Sequence, residues 1–194
     1  VPNYTISGSA GVSGATLTYS DDSTYTVTSD GSGNYSFSVP AGWSGNLSVS
    51  KLGYTLSPAS ISFSNVSANS SGNNFAATLV YTPVQPSGAG TSQSPYLIAN
   101  LGNLFWMALS SDQWDKHYLQ TANIDAASTS GWYSGAGFPL IGNPNSTVFT
   151  GNYNGGGYTI SNLHMNNTSQ MACGFISIMY DGTLQNIHLR SVSI

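Results

Sequence analysis

The sequence predicts an all-β chain of two domains, an antiparallel β-sandwich followed by a solenoid of stacked coils. Three observations support this. Residues 4–81 alternate between apolar and polar side chains, a segment rich in Pro, Gly and Ser interrupts the alternation at 82–95, and a short motif recurs 24 residues apart near the end. We therefore place the sandwich at 1–81, a linker and the start of the second domain at 82–95, and the solenoid at 96–194.

The first domain is predicted to contain seven short strands. Glycine-containing turns such as DGSGN, AGWSGN and NSSGNN lie between alternating runs, as in antiparallel sandwiches. Tyr35, Phe37 and Val39 should face the core, and Ser36 and Ser38 should face water. The predicted strands are YTISGS, ATLTYS, TYTVTS, NYSFSVP, NLSVSK, SISFSN and NFAATLVY.

One helix is predicted directly after the linker. One face of a 3.6-residue period carries Leu101, Leu104, Phe105, Ala108 and Leu109, and Asn100 stands where an N-cap is expected. We expect this helix to cover the open apolar end of the first coil.

The solenoid prediction depends on a repeat. TISNLHM at 159–165 matches TLQNIHL at 183–189 with an offset of 24 residues. Such periods are typical of coils that stack on one another. This register would place Asn162 beneath Asn186 and His164 beneath His188, with Ile160, Leu163 and Met165 facing inward over Leu184, Ile187 and Leu189.

Composition excludes several classes of protein. Seven Asp, no Glu and three basic residues give a net charge of -4, which lacks the basic patch that nucleic-acid binding needs. Apolar runs are too short for a membrane helix. The single cysteine, Cys173, excludes an internal disulfide and is expected to be a buried thiol. Low charge and many Ser, Thr and Asn residues favour a secreted or cell-surface location.

The first domain resembles the carboxypeptidase-regulatory-like and Cna-B-like sandwich modules of surface proteins. The segments that carry the resemblance are YTISGSAGVSGATLTY, the SDGSGNYSFSVP hairpin and SKLGYTLSP. The resemblance implies an immunoglobulin-like (Ig-like) antiparallel β-sandwich.

The second domain resembles the N-terminal part of the GLUG-motif right-handed β-helix regions of large bacterial surface proteins. The Gly-Leu-Phe-Gly start of the family repeat is replaced here by Cys173-Gly174-Phe175-Ile176. Such regions usually continue for further repeats, so we expect a truncated β-helix capped by the first helix. Its open end, near Ser191–Ile194, is expected to allow self-association. The matching segments are GAGTSQSPYLIANLGNLFWMA, YLQTANIDAAS, FPLIGNPNSTVFTGNYNGGGYTISNLHMNN and CGFISIMYDGTLQNIHLRSV.

The acidic residues of the second domain do not suggest catalysis. Glycoside cleavage generally needs two paired carboxylates, and no pair stands out among Asp112, Asp115, Asp125 and Asp181. The prediction is a protein that is not an enzyme.

The glycine run Gly155–Gly157 is predicted to form a corner rather than a phosphate loop. No Lys and Ser/Thr pair follows it, and a strand follows where a dinucleotide-binding fold needs a helix. Glycine is expected here because a corner demands positive φ.

Three further groups are candidates for ligands. His164 and His188 would lie about 4.8 Å apart in the 24-residue register and could share a metal ion. The simpler interpretation is that both are surface histidines that bind no metal. Trp132 and Tyr133 could stack on sugar rings, although Trp is more often buried. Asp30, Ser32 and Asn34 alternate like the start of a calcium loop, although turn formation explains them equally well.

We therefore predict a non-catalytic secreted or surface protein, an adhesin-like stalk and display platform. Its partners would be host or matrix glycans or proteins. The alternative is an accessory carbohydrate-binding part of a larger polysaccharide-active enzyme. No cofactor is predicted apart from the possible calcium.

Overall fold

The computed structural model describes residues 2–143, 146–166 and 174–194. The chain is mostly β, as predicted, with 40% of residues in strands and 11% in helices. It divides into two compact units, Val1–Val80 and Tyr81–Ile194. Residues 82–95 belong to the second unit and bond to its elements: Val84 N donates to Gly102 O (3.0 Å) and Leu97 N donates to Ser87 O (2.8 Å).

The first unit consists of antiparallel strands. One four-stranded sheet has the order β3-β2-β5-β7, and the pairs β1-β4 and β6-β8 form two smaller sheets. All seven strands predicted from the alternation are present. The additional strand, β6, comes from YTLS, which also alternates. The strands are β1 (Asn3–Ser9), β2 (Thr16–Asp21), β3 (Ser23–Thr28), β4 (Asn34–Pro40), β5 (Gly45–Ser50), β6 (Tyr54–Ser57), β7 (Ser60–Phe63) and β8 (Ala76–Leu79).

Strand β4 shows why this unit folds. Its burial alternates strictly, with Tyr35, Phe37 and Val39 buried and the serines between them exposed, as predicted. The ring of Phe37 stacks on Tyr19 with centroids 4.1 Å apart. Trp43 closes the core, and its Nε1 donates to Ser20 O at 3.0 Å, so the buried indole nitrogen keeps a partner.

The predicted helix lies near the start of the second unit. Asn100 caps α1 (Leu101–Leu109), and its side chain accepts a hydrogen bond from Asn103 N at 3.0 Å. Leu104 and Phe105 are fully buried. The cap and the apolar face therefore both follow the sequence prediction.

The named strands of the second unit pair only in parallel. Strands β9, β10, β12 and β14 form one sheet, and β11, β13 and β15 form the other. From β10 onward the chain passes alternately from one sheet to the other. The strands are β9 (Tyr96–Ile98), β10 (His117–Gln120), β11 (Ile124–Asp125), β12 (Asn152–Asn154), β13 (Thr159–Ser161), β14 (Thr183–Gln185) and β15 (His188–Arg190).

The 24-residue register is wrong. Thr159 pairs with His188 in the β13–β15 ladder, and Thr183 pairs with Asn152 in the β12–β14 ladder. The two similar motifs therefore begin in different sheets. Each consists of a three-residue strand followed by an asparagine in the left-handed region, with φ of 58° at Asn162 and 53° at Asn186. The repeat marks this local strand-and-corner unit, which both sheets use.

The burial of inward-facing side chains ends at the last two strands, β14 and β15. Tyr153 and Ile160 are buried, whereas their neighbours in the next strands, Leu184 and Leu189, are 39% and 42% exposed. The expectation that both rows of apolar residues are interior therefore holds for the earlier row only. Leu184 and Leu189 lie on edge strands that have a partner on one side.

Candidate functional site

The glycine corner contains two kinds of constraint. Gly156 and Gly157 have φ of 59° and 81°, which confirms the positive φ predicted for this corner. Gly155 is different, because a Cβ atom built on it would lie 2.1 Å from Asn186 O in the following strand connection. Asn154 Oδ1 accepts hydrogen bonds from Gly156 N (3.0 Å) and from Asn186 Nδ2 (2.9 Å). Gly155 lets two corners approach, and the side-chain amides join them.

His164 and His188 are not brought together. His188 is exposed and pairs with Thr159, whereas His164 forms an isolated bridge with Ser193. The Nε2 atom of His164 lies 3.0 Å from Gly135 O, so that nitrogen is already engaged with the protein. The stacking on which the metal prediction depended is absent, because the register that would create it is wrong. Within residues 2–143, 146–166 and 174–194, no three His, Cys, Asp or Glu residues form a metal-binding group.

Trp132 does not offer its ring to a ligand. It is 4% exposed and packs against Phe105, with ring centroids 4.6 Å apart, and against Tyr81, at 5.2 Å. The packing interpretation applies to this tryptophan, and the prediction that it stacks on sugar is wrong. Tyr133 is half-buried and follows it with φ of 49°, at a non-helical kink within the segment Ala127–Gly135.

The Asp30 carboxylate is occupied by its own turn. Oδ1 accepts hydrogen bonds from Ser32 N (2.9 Å) and Asn34 N (2.8 Å). This is the turn chemistry that the sequence offered as the alternative to a calcium loop. Cys173, the other isolated candidate, lies outside the described residues.

Two aspartates of the second unit are tied into local contacts. Asp125 Oδ1 accepts from Asn162 Nδ2 (3.0 Å) and from Ala127 N (3.1 Å), and these bonds hold the pKa of Asp125 below its usual value. Asp115 pairs with Lys116 at 2.9 Å, and that hydrogen bond lowers the pKa of Asp115. A general acid at neutral pH needs a raised pKa. Both carboxylates are shifted in the opposite direction.

One cleft in the second unit was missed by sequence reasoning. It has a volume of about 270 Å³ and lies against the sheet that contains β10, β12 and β14. Strand alternation places Tyr118 and Tyr153 in the core, so their neighbours along each strand face outward. The outward side chains that line the cleft are His117, Leu119, Asn152, Asn154 and Gln185, and Pro95 adds a wall.

Register brings these side chains together. His117 pairs with Asn152, and Leu119 pairs with Asn154, which in turn pairs with Gln185. Because the contributing strands are far apart along the chain, only knowledge of the pairing reveals the cleft. The alternation of β10 and β12 was the one available signal, since it marks which side chains face outward.

The comparisons with known proteins give one partial likeness. Halomucin from Haloquadratum walsbyi is 37% identical over 110 residues, which is 55% of this chain and 1% of halomucin. The chain thus spans about 1% of the length of this curated relative. No known protein family matches the chain, and no solved structure matches it. Within the described ranges, no helix is long and apolar enough to cross a membrane.

Proposed function

We propose that the chain is a non-catalytic part of a secreted or cell-surface protein, adhesin-like, with a stalk module followed by a display platform. In this proposal the first unit is an Ig-like β-sandwich of the carboxypeptidase-regulatory-like or Cna-B-like kind. The second unit is the helix-capped start of a right-handed β-helix of the GLUG type.

The observation that carries the proposal is the alternation of the chain between two parallel sheets. Strands β12 to β15 visit the sheets in turn, and each pairs with the strand two places earlier. Each turn adds one strand to both sheets, which favours a unit that extends by stacking. The antiparallel sheets of the first unit suit a compact spacer.

The surface location is supported by the likeness to halomucin and by composition. With 5% charged residues and no Glu, the polarity comes from hydroxyl and amide groups. An antibody against the chain should label intact, unpermeabilised cells that make the protein. Labelling that requires permeabilisation would contradict a surface role, and recovery from the culture medium would assign the secreted form.

The non-catalytic part of the proposal is supported by the engaged carboxylates Asp115 and Asp125. Incubation of the chain with a panel of polysaccharides should release no new reducing ends. Release that is abolished by Asp125→Asn or Asp112→Asn would show glycoside cleavage and contradict the proposal.

We also propose that the exposed apolar side chains of the last two strands, β14 and β15, mediate self-association. Leu184 and Leu189 lie on edge strands, and Ile194 nearby is 70% exposed. An edge of this kind offers unpaired backbone groups and apolar side chains together. Host or matrix glycans or proteins remain the proposed external partners.

A further inference from the structure

We propose that the cleft on the outer face of the β10–β12–β14 sheet binds a neutral, linear oligosaccharide. Nothing in the proposed surface role assigns this site. The inference that this cleft binds sugar does not depend on where the protein is located. The inference depends on the chemistry of the lining, on the spacing of the strands and on the position of the cleft within the sheet.

The lining is polar but contains no Asp, Glu, Lys or Arg. Asn152 and Gln185 carry amides, which donate and accept hydrogen bonds as sugar hydroxyls do. Neither side chain bonds to another described residue in the hydrogen-bond network of the fold. An anionic or cationic ligand would need an opposite charge to replace its hydration, and this lining favours a neutral ligand.

The side chain of Asn154 is held in place by hydrogen bonds. Its Oδ1 accepts two hydrogen bonds, from Gly156 N and Asn186 Nδ2, so the amide nitrogen is the group left to donate to a ligand. The bonds fix the side chain before any ligand arrives. A donor positioned in advance costs less conformational entropy on binding.

Apolar surface lies beside these amides. Leu119 and Pro95 line the same cleft and are partly exposed. Small-molecule sites generally combine apolar walls with a few polar groups that fix orientation. Sugar rings present both kinds of surface, C–H groups on the ring faces and hydroxyls at the rim.

Strand spacing favours a linear chain of sugars. Neighbouring parallel strands lie about 4.8 Å apart, a step similar to the length of one pyranose ring in a linear glycan. Asn154 and Gln185 are register partners, so equivalent amides recur at that step. A glycan that runs across the strands would meet Leu119, Asn154 and Gln185 in turn, one side chain per ring over β10, β12 and β14.

The position of the cleft disfavours a peptide added as a strand. Such binding needs a free sheet edge. Strands β10 and β12, which form the floor, are each paired on both sides. Recognition over β10 and β12 must therefore use side chains, because the free edge at this end of the sheet is on β14.

The test begins with an array of neutral, sulfated and uronic-acid glycans probed with the 194-residue chain. We expect binding to at least one neutral glycan. Calorimetry with fragments of that glycan should show affinity that rises from the monosaccharide to the trisaccharide and then levels off, because three strands contribute polar groups.

The decisive variant is Asn152→Ala combined with Gln185→Ala, which should weaken binding at least tenfold. Gln85→Ala is the matched control, an exposed amide of the same unit outside the cleft, and it should bind as the parent does. Circular dichroism of each variant should match the parent. Asn152→Gln, which keeps an amide, should retain more affinity than Asn152→Ala.

Three results would overturn the inference: no neutral glycan bound, binding restricted to sulfated or uronic-acid glycans, or neutral-glycan binding that the cleft variant leaves unchanged. Since surface labelling of cells is independent of the array, failure here would leave the proposed location and stalk role standing.

Discussion

At the scale of single residues, the glycine corner separates two effects that usually occur together. Gly155 is constrained by contact, because its missing Cβ would meet Asn186 O at 2.1 Å. Gly157 is constrained by conformation, because its φ is 81° while nothing lies within 4 Å of its missing Cβ. Substitutions at the two positions therefore allow the free-energy cost of a steric clash and that of a left-handed backbone to be measured separately.

We expect Gly155→Ala to destabilise the second unit by about 2–3 kcal/mol, since one of two backbone segments must move. Gly157→Ala, the matched control, should cost about 1 kcal/mol, the penalty for a left-handed alanine. Urea unfolding followed by tryptophan fluorescence measures both, because three of the four tryptophans lie in this unit. Equal costs for the two variants would mean that the corners do not approach as closely as described.

The sequence predicted most of the structure correctly at the scale of single residues. The helix cap at Asn100 and the alternation in β4 follow from local preferences, and both are present. Trp132 shows the limit. The sequence left both sugar stacking and burial open for this residue, and its ring packs against Phe105, which is distant in sequence. Burial of a loop aromatic depends on partners that no local pattern reveals.

At the scale of elements, strands were easier to predict than their pairing. The motif shared by 159–165 and 183–189 is a strand with an asparagine corner, and identical local chemistry serves both sheets. Sequence similarity therefore could not show whether the two motifs pair with each other in one sheet or occupy different sheets. Pairing is decided by which apolar side chains share the interior, such as Ile124 with Ile160.

Cysteine cross-linking distinguishes the two registers. Thr159→Cys with His188→Cys should form a disulfide, because parallel partners lie about 4.8 Å apart and disulfides need Cα atoms roughly 4.4–6.8 Å apart. Thr159→Cys with Thr183→Cys should not, since those strands belong to different sheets. Both pairs are made in a Cys173→Ser background, and peptide mapping without reductant identifies the link. The reverse outcome would restore the 24-residue register.

At the scale of the whole molecule, the sequence indicated the class of the chain but not its cleft. Composition excluded a basic surface, and alternation predicted the mostly β structure. The cleft needed three strands to be in register, because His117, Asn152 and Gln185 lie in separate segments. A site of this kind becomes visible only when pairing is known.

Self-association of the 194-residue chain is the last prediction, and it concerns the edge of β14 and β15. The double variant Leu184→Asp and Leu189→Asp should lower the mass that light scattering measures at high concentration, because two charges would have to be desolvated in the contact. The matched control is Leu52→Asp with Leu79→Asp, two leucines of the first unit that are 54% and 45% exposed. It should associate as the parent does. A parent chain that stays monomeric over the whole concentration range, or a control that associates as weakly as the edge variant, would contradict an associating edge.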